Sequence, residues 1–202
     1  MITSVPRVDV LLGSLIANQS NLTQRPSSKS EILSHRCGKM PSAEPLVIRQ
    51  VEGRRETREV KKLASTTGAE LDEIDEMIKG DKIYVAQKHG SIIGFFALRN
   101  LNRGNAVEVS GLAIKEIERR KGTASVLLRH AEEVALNVNA KTLYVKTSND
   151  NIPALALYQK NGFRITEIRI GAMIEHHGAG LPGWEDIPVR DEITLEKTLL
   201  QR

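Results

Sequence analysis

Three cations and a glycine, Arg119-Arg120-Lys121-Gly122, followed by Thr123-Ala124, separate an apolar-rich segment, Ala106 to Ile114, from a stretch with helical apolar spacing. Residues of these types at a strand-to-helix junction can hold an anion. Glycine lets the backbone turn and approach a ligand, the first N–H groups of a helix have no partner inside it, and the helix dipole adds partial positive charge. A diphosphate would be stabilised there. Three cations solvating an ordinary turn describe the same residues, and the loop alone does not choose between the two. It is neither a Walker A loop, which needs Gly-Lys-Ser/Thr, nor a dinucleotide fingerprint with three spaced glycines.

A second stretch, Glu175 to Glu192, is irregular and carries Glu175, Glu185, Asp186, Asp191 and Glu192 against Arg190. Its field would draw a cationic amine, although a solvated acidic loop has the same composition. His176 and His177 offer imidazoles, but sequence neighbours rarely bind one ion well and no third ligand stands out, so no metal is expected. Trp184 is expected to anchor the loop rather than stack on a substrate.

These residues must be positioned by a fold, and the periodicities outline one. A short strand, Leu46 to Gln50, leads into the helix-favouring runs Arg55 to Ser65 and Leu71 to Ile78. The β-rich runs Lys82 to Gln87 and Ser91 to Arg99 flank Lys88-His89-Gly90, which reads as a hairpin turn. The strand Ala106 to Ile114 is followed by a helix over Thr123 to Val138, whose stripe is Ala124, Leu127, Leu128, Ala131, Val134 and Ala135. Thr142 to Thr147 is a further strand. Ser148, Asn149 and Asp150 form turns and are given no chemistry. Pro153 opens a helix through Lys160 that Asn161-Gly162 ends. Two strands, Phe163 to Met173 and Val189 to Leu199, complete an α/β (α+β) order: a mixed sheet of about seven strands with helices on its faces.

The 202 residues, 40% hydrophobic and 27% charged, suit a folded domain rather than a rod or a disordered chain. The first 44 residues lack sustained periodicity and are expected to be a flexible or disordered extension, leaving residues 45–202 as the folded domain. Met40, followed by Pro41, is a candidate initiator of a shorter protein. The net charge of +4 is spread evenly, without the dense positive stripe that nucleic-acid binding requires. The apolar run Val8 to Ala17 is too short to span a bilayer. The single cysteine, Cys37, excludes an intramolecular disulfide framework and suits a reducing, cytoplasmic setting.

Arg119-Arg120-Lys121-Gly122-Thr123-Ala124 resembles the Arg/Gln-x-x-Gly-x-Gly/Ala signature of the GNAT superfamily of acetyl-CoA-dependent N-acetyltransferases. Further along, Asn151-Ile152-Pro153-Ala154-Leu155-Ala156-Leu157-Tyr158-Gln159-Lys160-Asn161-Gly162-Phe163 is similar to that superfamily's Asn-x-x-Ala-x-x-Leu-Tyr-x-x-x-Gly-Phe segment. The likeness runs from Leu46 to Leu200 in element order, and its specific residues lie between Ala106 and Phe163. It implies a mostly antiparallel sheet splayed between Ala106–Ile114 and Thr142–Thr147, with acetyl-CoA as co-substrate in the wedge. Backbone groups of Leu112, Ala113 and Ile114 would pair with the pantetheine arm. Arg119 through Ala124 would hold the diphosphate, and Asn151 would bond the arm or cap the following helix.

N-acetylation needs a neutral amine, stabilisation of the developing oxyanion and protonation of the departing thiolate. An alkylammonium with a pKa of about 10.4 is almost fully protonated at neutral pH, so a proton acceptor nearby is useful. The resemblance points to Glu108 as general base and to Tyr158 as general acid beside the coenzyme sulfur. A solvent-facing Glu108 and a merely packed Tyr158 are the plainer alternatives. The acceptor is then a primary amine, a small molecule or a protein amine, with some preference for a cationic one. No metal, membrane or nucleic-acid partner is called for, and the chain would be a monomer or homodimer. A non-catalytic acyl-CoA sensor is the alternative function.

Overall fold

The computed structural model describes residues 45–101 and 105–200. The first 44 residues, with the expected extension, Cys37 and the candidate initiator Met40, lie outside them. Seven strands form one sheet in the order β1-β2-β3-β4-β5-β7-β6, all neighbours antiparallel except β4 and β5. The strands are β1 (Val47–Gln50), β2 (Lys82–Lys88), β3 (Ser91–Leu101), β4 (Ala106–Ile114), β5 (Thr142–Ser148), β6 (Arg164–Arg169) and β7 (Glu192–Thr198). Helices α1 (Gly53–Ala64) and α2 (Leu71–Gly80) follow β1, α3 (Thr123–Asn137) crosses from β4 to β5, and α4 (Ile152–Lys160) follows β5. The parallel pair needs a crossover, and α3 supplies it.

Each helix buries the stripe its spacing implies. Val60, Leu63 and Ala64 of α1 join Ile74 and Met77 of α2 over Ile83, Val85, Phe95, Ala97 and Ala113. On the opposite face, Leu127, Leu128, Ala131 and Ala135 of α3 pack with Ala154 and Tyr158 of α4 against Phe96, Val109, Leu143, Val145 and Leu195. The sheet therefore separates two apolar layers, and β4, buried along its whole length, borders both. The β2–β3 hairpin closes through His89 (φ 50°) and Gly90 (φ 70°), the paired left-handed geometry whose twist matches the strands.

An irregularity in β4 matters most. Ala97 of β3 faces Gly111 while the next residue, Leu98, faces Val109, so Ser110 is an extra residue. The core records the same insertion: Val107, Val109, Leu112 and Ile114 all point into the α3–α4 layer, which an unbroken two-residue alternation would forbid. A bulge bends its strand. Pairing of β4 with β5 accordingly covers Ala106 to Val109 against Thr142 to Val145 and stops there. The bulge is fastened by Ser110, whose hydroxyl donates to Asp81 Oδ2 at 2.5 Å. The same carboxylate receives Arg99 Nε and a terminal nitrogen at 2.9 and 3.1 Å. Gly111 lets α2 settle on the strand, since a Cβ there would stand 2.6 Å from Met77 Sδ.

The end of the chain departs from expectation. The strand expected through Met173 ends at Arg169, and a short helix, α5 (Ala172–His177), follows Gly171 (φ 73°). As the edge strand, β6 is exposed on both faces, whereas Ala172 and Met173 are buried as helix. Burial outweighs β propensity there. β7 likewise begins at Glu192, after a loop with a 3-10 turn at Trp184–Asp186.

Candidate active site

Beyond Val109 and Val145 the facing edges of β4 and β5 run apart, leaving a wedge in the sheet. Leu112, Ala113 and Ile114 send their side chains into the two apolar layers, so along the wedge this part of β4 offers its main chain. At the foot of the wedge the chain passes a 3-10 turn, Glu116–Glu118, and reaches Arg120 (φ 59°) and Gly122 (φ 80°). Gly122 is the N-cap of α3 and has no side chain to occupy the helix's first N–H groups. A Cβ at Gly122 would meet nothing within 4 Å, so glycine serves the conformation rather than the space.

This helix start and three cationic residues, Arg119, Arg120 and Lys160, line a cavity of about 410 Å³ on the α3–α4 side of the sheet. Arg119, Arg120, Gly122, Thr123 and Ala124 form its basic wall, and Pro153, Ala156 and Leu157 of α4 the apolar one. Arg119 is steadied by a bond from Nε to the Ile114 carbonyl at 3.1 Å. Lys121 does not line the cavity; its ammonium lies 3.2 Å from Glu118 Oε1 on the exposed surface. Asn151 takes the capping role, its Oδ1 accepting the Ala154 N–H at 3.2 Å.

Tyr158 is completely buried, its ring edge-on to Phe163 with centroids 5.7 Å apart, and its hydroxyl has no hydrogen-bond partner among the described residues. Burial raises its pKa far above the usual phenol value, so it stays protonated. Thr147 Oγ1, on β5 where pairing with β4 has ceased, is also buried and unpartnered. Buried polar groups are normally satisfied. Two that are not, in the α4 layer and at the wedge, are what a polar ligand would complete.

Glu108 lies on the other face of β4, in the paired stretch just before the wedge opens. It stands opposite Arg99 of β3 and Tyr144 of β5, two positions before the bulge, and is 6% exposed. Burial raises its carboxyl pKa, while the charges of Lys146 and Arg99 pull it back only in part. Glu108 lies between Val107 and Val109, which enter the α3–α4 layer, so its side chain belongs to the face carrying α1 and α2. The same face of β5 and β7 presents Lys146 and the buried Glu192, whose Oε1 is 3.8 Å from Lys146 Nζ and 3.4 Å from an Arg169 nitrogen. Spacing gives no signal for this charged floor, because its members meet across three strands.

The acidic loop is less free than its composition implies. Glu192 is buried in the floor and Asp191 accepts the Gly171 N–H, leaving Glu175, Glu185 and Asp186 exposed. Asn149 and Asp150 hold it: Asn149 Oδ1 accepts the N–H groups of Arg190 and Asp191, and Asp150 Oδ2 accepts that of Trp184. The loop is thus fastened by Asn149 and Asp150, and Trp184, expected to anchor it, lines the cavity. Glu73 Oε1 of α2 lies 3.4 Å from His176 Nε2, and Oε1 of its N-cap residue Glu70 lies 3.2 Å from His177 Nδ1, tying the start of α2 to α5.

Residues 52–163 match the model of the Acetyltransferase (GNAT) family. The uncharacterized N-acetyltransferase YvbK of Bacillus subtilis (strain 168) is 33% identical over 106 residues, 52% of this chain and 68% of the relative. A Bacillus subtilis acetyltransferase crystallised in complex with CoA superposes with a TM-score of 0.69 at 29% identity, covering 77% of this chain and 100% of that one. A GNAT family acetyltransferase from Elizabethkingia anophelis with acetyl-CoA bound gives a TM-score of 0.68 at 26% identity, covering 77% and 99%.

Proposed function

The chain belongs to the GNAT acetyltransferase family, and from that premise we propose that it transfers the acetyl group of acetyl-CoA directly to a primary amine, with Glu108 as general base and Tyr158 as hydrogen donor to the departing thiolate. The observation that carries this reading is the placement of the two side chains on opposite sides of the split sheet. Tyr158 lies in the α3–α4 layer, on the side of the cavity, and Glu108 lies on the α1–α2 face. A coenzyme seated in the cavity would bring its thioester between β4 and β5 from one side, and an amine would meet it from the other. Relatives crystallised with CoA and acetyl-CoA support that occupant.

The residues present fit the group. Unpaired N–H groups at the start of α3, with Arg119 and Arg120, complement a diphosphate; the open edge of β4 complements an amide-bearing arm; and the unsatisfied Tyr158 hydroxyl complements a sulfur. When bound, the thioester supplies the activated acetyl group. Glu108 takes one proton from the ammonium, directly or through water, and its raised pKa makes it a stronger base than an exposed carboxylate. As the C–N bond forms and the C–S bond breaks, the Tyr158 hydroxyl steadies the thiolate, which ends as a thiol with a proton from the amine. Burial raises thiol and phenol pKa values together, so the hydrogen bond remains matched as charge develops.

Residues 45–202 form the catalytic unit in this reading, and the acceptor is a small-molecule or protein amine. The exposed carboxylates Glu175, Glu185 and Asp186 favour a cationic one. Acetyl-CoA-dependent thiol release across a library of amines, polyamines and peptides with free N-termini tests the proposal. Turnover with at least one acceptor, strongly reduced in Glu108→Gln, is expected. Wild-type rates in both Glu108→Gln and Tyr158→Phe would remove their assigned roles.

A further inference from the structure

Trp184 belongs to neither motif and sits on the loop between α5 and β7, yet it lines the same cavity as Arg119, Arg120 and Gly122. The loop that carries it is fastened on both sides. Before it, Gly183 lies so close to Asp150 that a Cβ would stand 2.5 Å from that residue's own Cβ and 2.3 Å from the Ile187 carbonyl oxygen. At the indole-bearing residue itself, the backbone N–H donates to Asp150 Oδ2 at 3.1 Å. After it, Asn149 Nδ2 donates to the Pro188 carbonyl at 3.0 Å, and Asn149 Oδ1 accepts the Arg190 and Asp191 N–H groups at 2.7 and 2.9 Å. Asn149 and Asp150 form the turn from β5 to α4, so the loop is fixed to the β5 lip of the wedge. Glu185 (φ 47°) and Asp186 (φ 63°) adopt left-handed backbone conformations that side-chain-bearing residues seldom take, which these bonds must hold in place.

Trp184 is the one aromatic among the residues that line the cavity, and on a loop fastened this way its indole offers a flat apolar face to whatever fills it. We propose that Trp184 is a coenzyme-contacting residue, which covers the pantetheine arm where the arm leaves the diphosphate for the wedge. The arm is the part covered because the loop is tied through Asn149 and Asp150 to the end of β5, the strand that borders the wedge, whereas the diphosphate-binding residues lie at the start of α3. This rests on the reading of the cavity as the coenzyme site.

Trp184 is the only tryptophan of the 202-residue chain, so its emission reports on that contact alone. The full chain is titrated with CoA, with 3′,5′-ADP and with phosphopantetheine, following tryptophan fluorescence and, in parallel, heat. A saturable change in emission is expected with CoA and with phosphopantetheine, at the midpoint that calorimetry gives, and little change with 3′,5′-ADP. Trp184→Ala should weaken CoA binding roughly tenfold, the order expected for one aromatic wall, and raise KM for acetyl-CoA while leaving kcat near wild type. Trp184→Phe should recover most of the affinity. Calorimetric binding of CoA with unchanged emission and an unchanged Kd in Trp184→Ala overturns the inference while the coenzyme reading stands. A full response to 3′,5′-ADP overturns the assignment to the arm. No heat of CoA binding at all overturns the coenzyme reading and the inference with it.

Discussion

Replacing Tyr158 with phenylalanine should make the free protein more stable and a worse catalyst. The ring is fully buried and packs on Phe163, and phenylalanine keeps that contact, so the substitution removes only a hydroxyl without a hydrogen-bond partner. Leaving such a group buried costs about 1–3 kcal/mol, and deleting it should recover about 1–2 kcal/mol. For a folded region of this size each kcal/mol moves the melting temperature by about 2–4 °C, so Tm should rise by about 2–8 °C in differential scanning calorimetry. In turnover, the variant loses a hydrogen bond to a developing thiolate, which at about 1.5–3 kcal/mol predicts a fall in kcat of about 10- to 150-fold. The stability gain should shrink when CoA is added, because the wild-type hydroxyl then has a sulfur to bond while the phenylalanine has nothing to offer it. A variant that melts at or below the wild-type temperature, or turns over at the wild-type rate, would refute the reasoning that the hydroxyl is held in reserve for the coenzyme.

Glu108→Gln should lower kcat by about 100-fold or more, the usual scale of a lost general base, and should abolish the acid limb of the pH–rate profile; since burial raises the carboxyl pKa, the wild-type limb should lie above the normal glutamate range. Gly111→Ala should cost about 1–3 kcal/mol in urea melts, since the added carbon would stand 2.6 Å from Met77 Sδ, and combining it with Met77→Ala should cost less than the two changes summed. Asn149→Ala removes the bonds fastening Pro188, Arg190 and Asp191, so limited proteolysis should cut the loop after α5 faster while Tm falls by only a few degrees. The Arg49 guanidinium, with help from the Glu52 N–H, holds the Glu56 carboxyl down at about 2, against an ordinary 4.5. The folded carboxyl therefore titrates below the unfolded one, and its stabilisation is complete above the unfolded pKa and fades as pH falls from about 4.5 toward 2. The pair is partly exposed, so the loss should stay within about 1 kcal/mol and should be absent from the acid titration of Glu56→Gln stability.

Much of the architecture follows from short-range pattern. The β-rich runs of β2 and β3, the strand β5, the stripe of α3, and the basic loop and Asn151–Phe163 segments can each be read within a window of neighbours, because β propensity and helix and strand periodicity are local properties. The irregular features could not be read that way. The strand expected to reach Met173 stops at Arg169, since whether β6 lies at an edge or in the middle of the sheet is settled by chain order in space, and an edge strand gains too little burial to continue. The bulge at Ser110 emerges only when β4 is laid against β3, and Asp81 with Arg99 secures it from a part of the chain far from either motif.

What the linear order determined by itself was therefore most of the elements, α5 excepted, their sequence and the residue types available for chemistry. The tertiary structure alone decided which groups are out of water and which stand together: Tyr158 unsatisfied on one side of the wedge, Glu108 raised in pKa on the other, Glu192 between Lys146 and Arg169, and Trp184 brought to the cavity by Asn149 and Asp150. Periodicity constrains a residue relative to its near neighbours, whereas desolvation and charge pairing depend on atoms that cross-strand register brings in from distant parts of the chain.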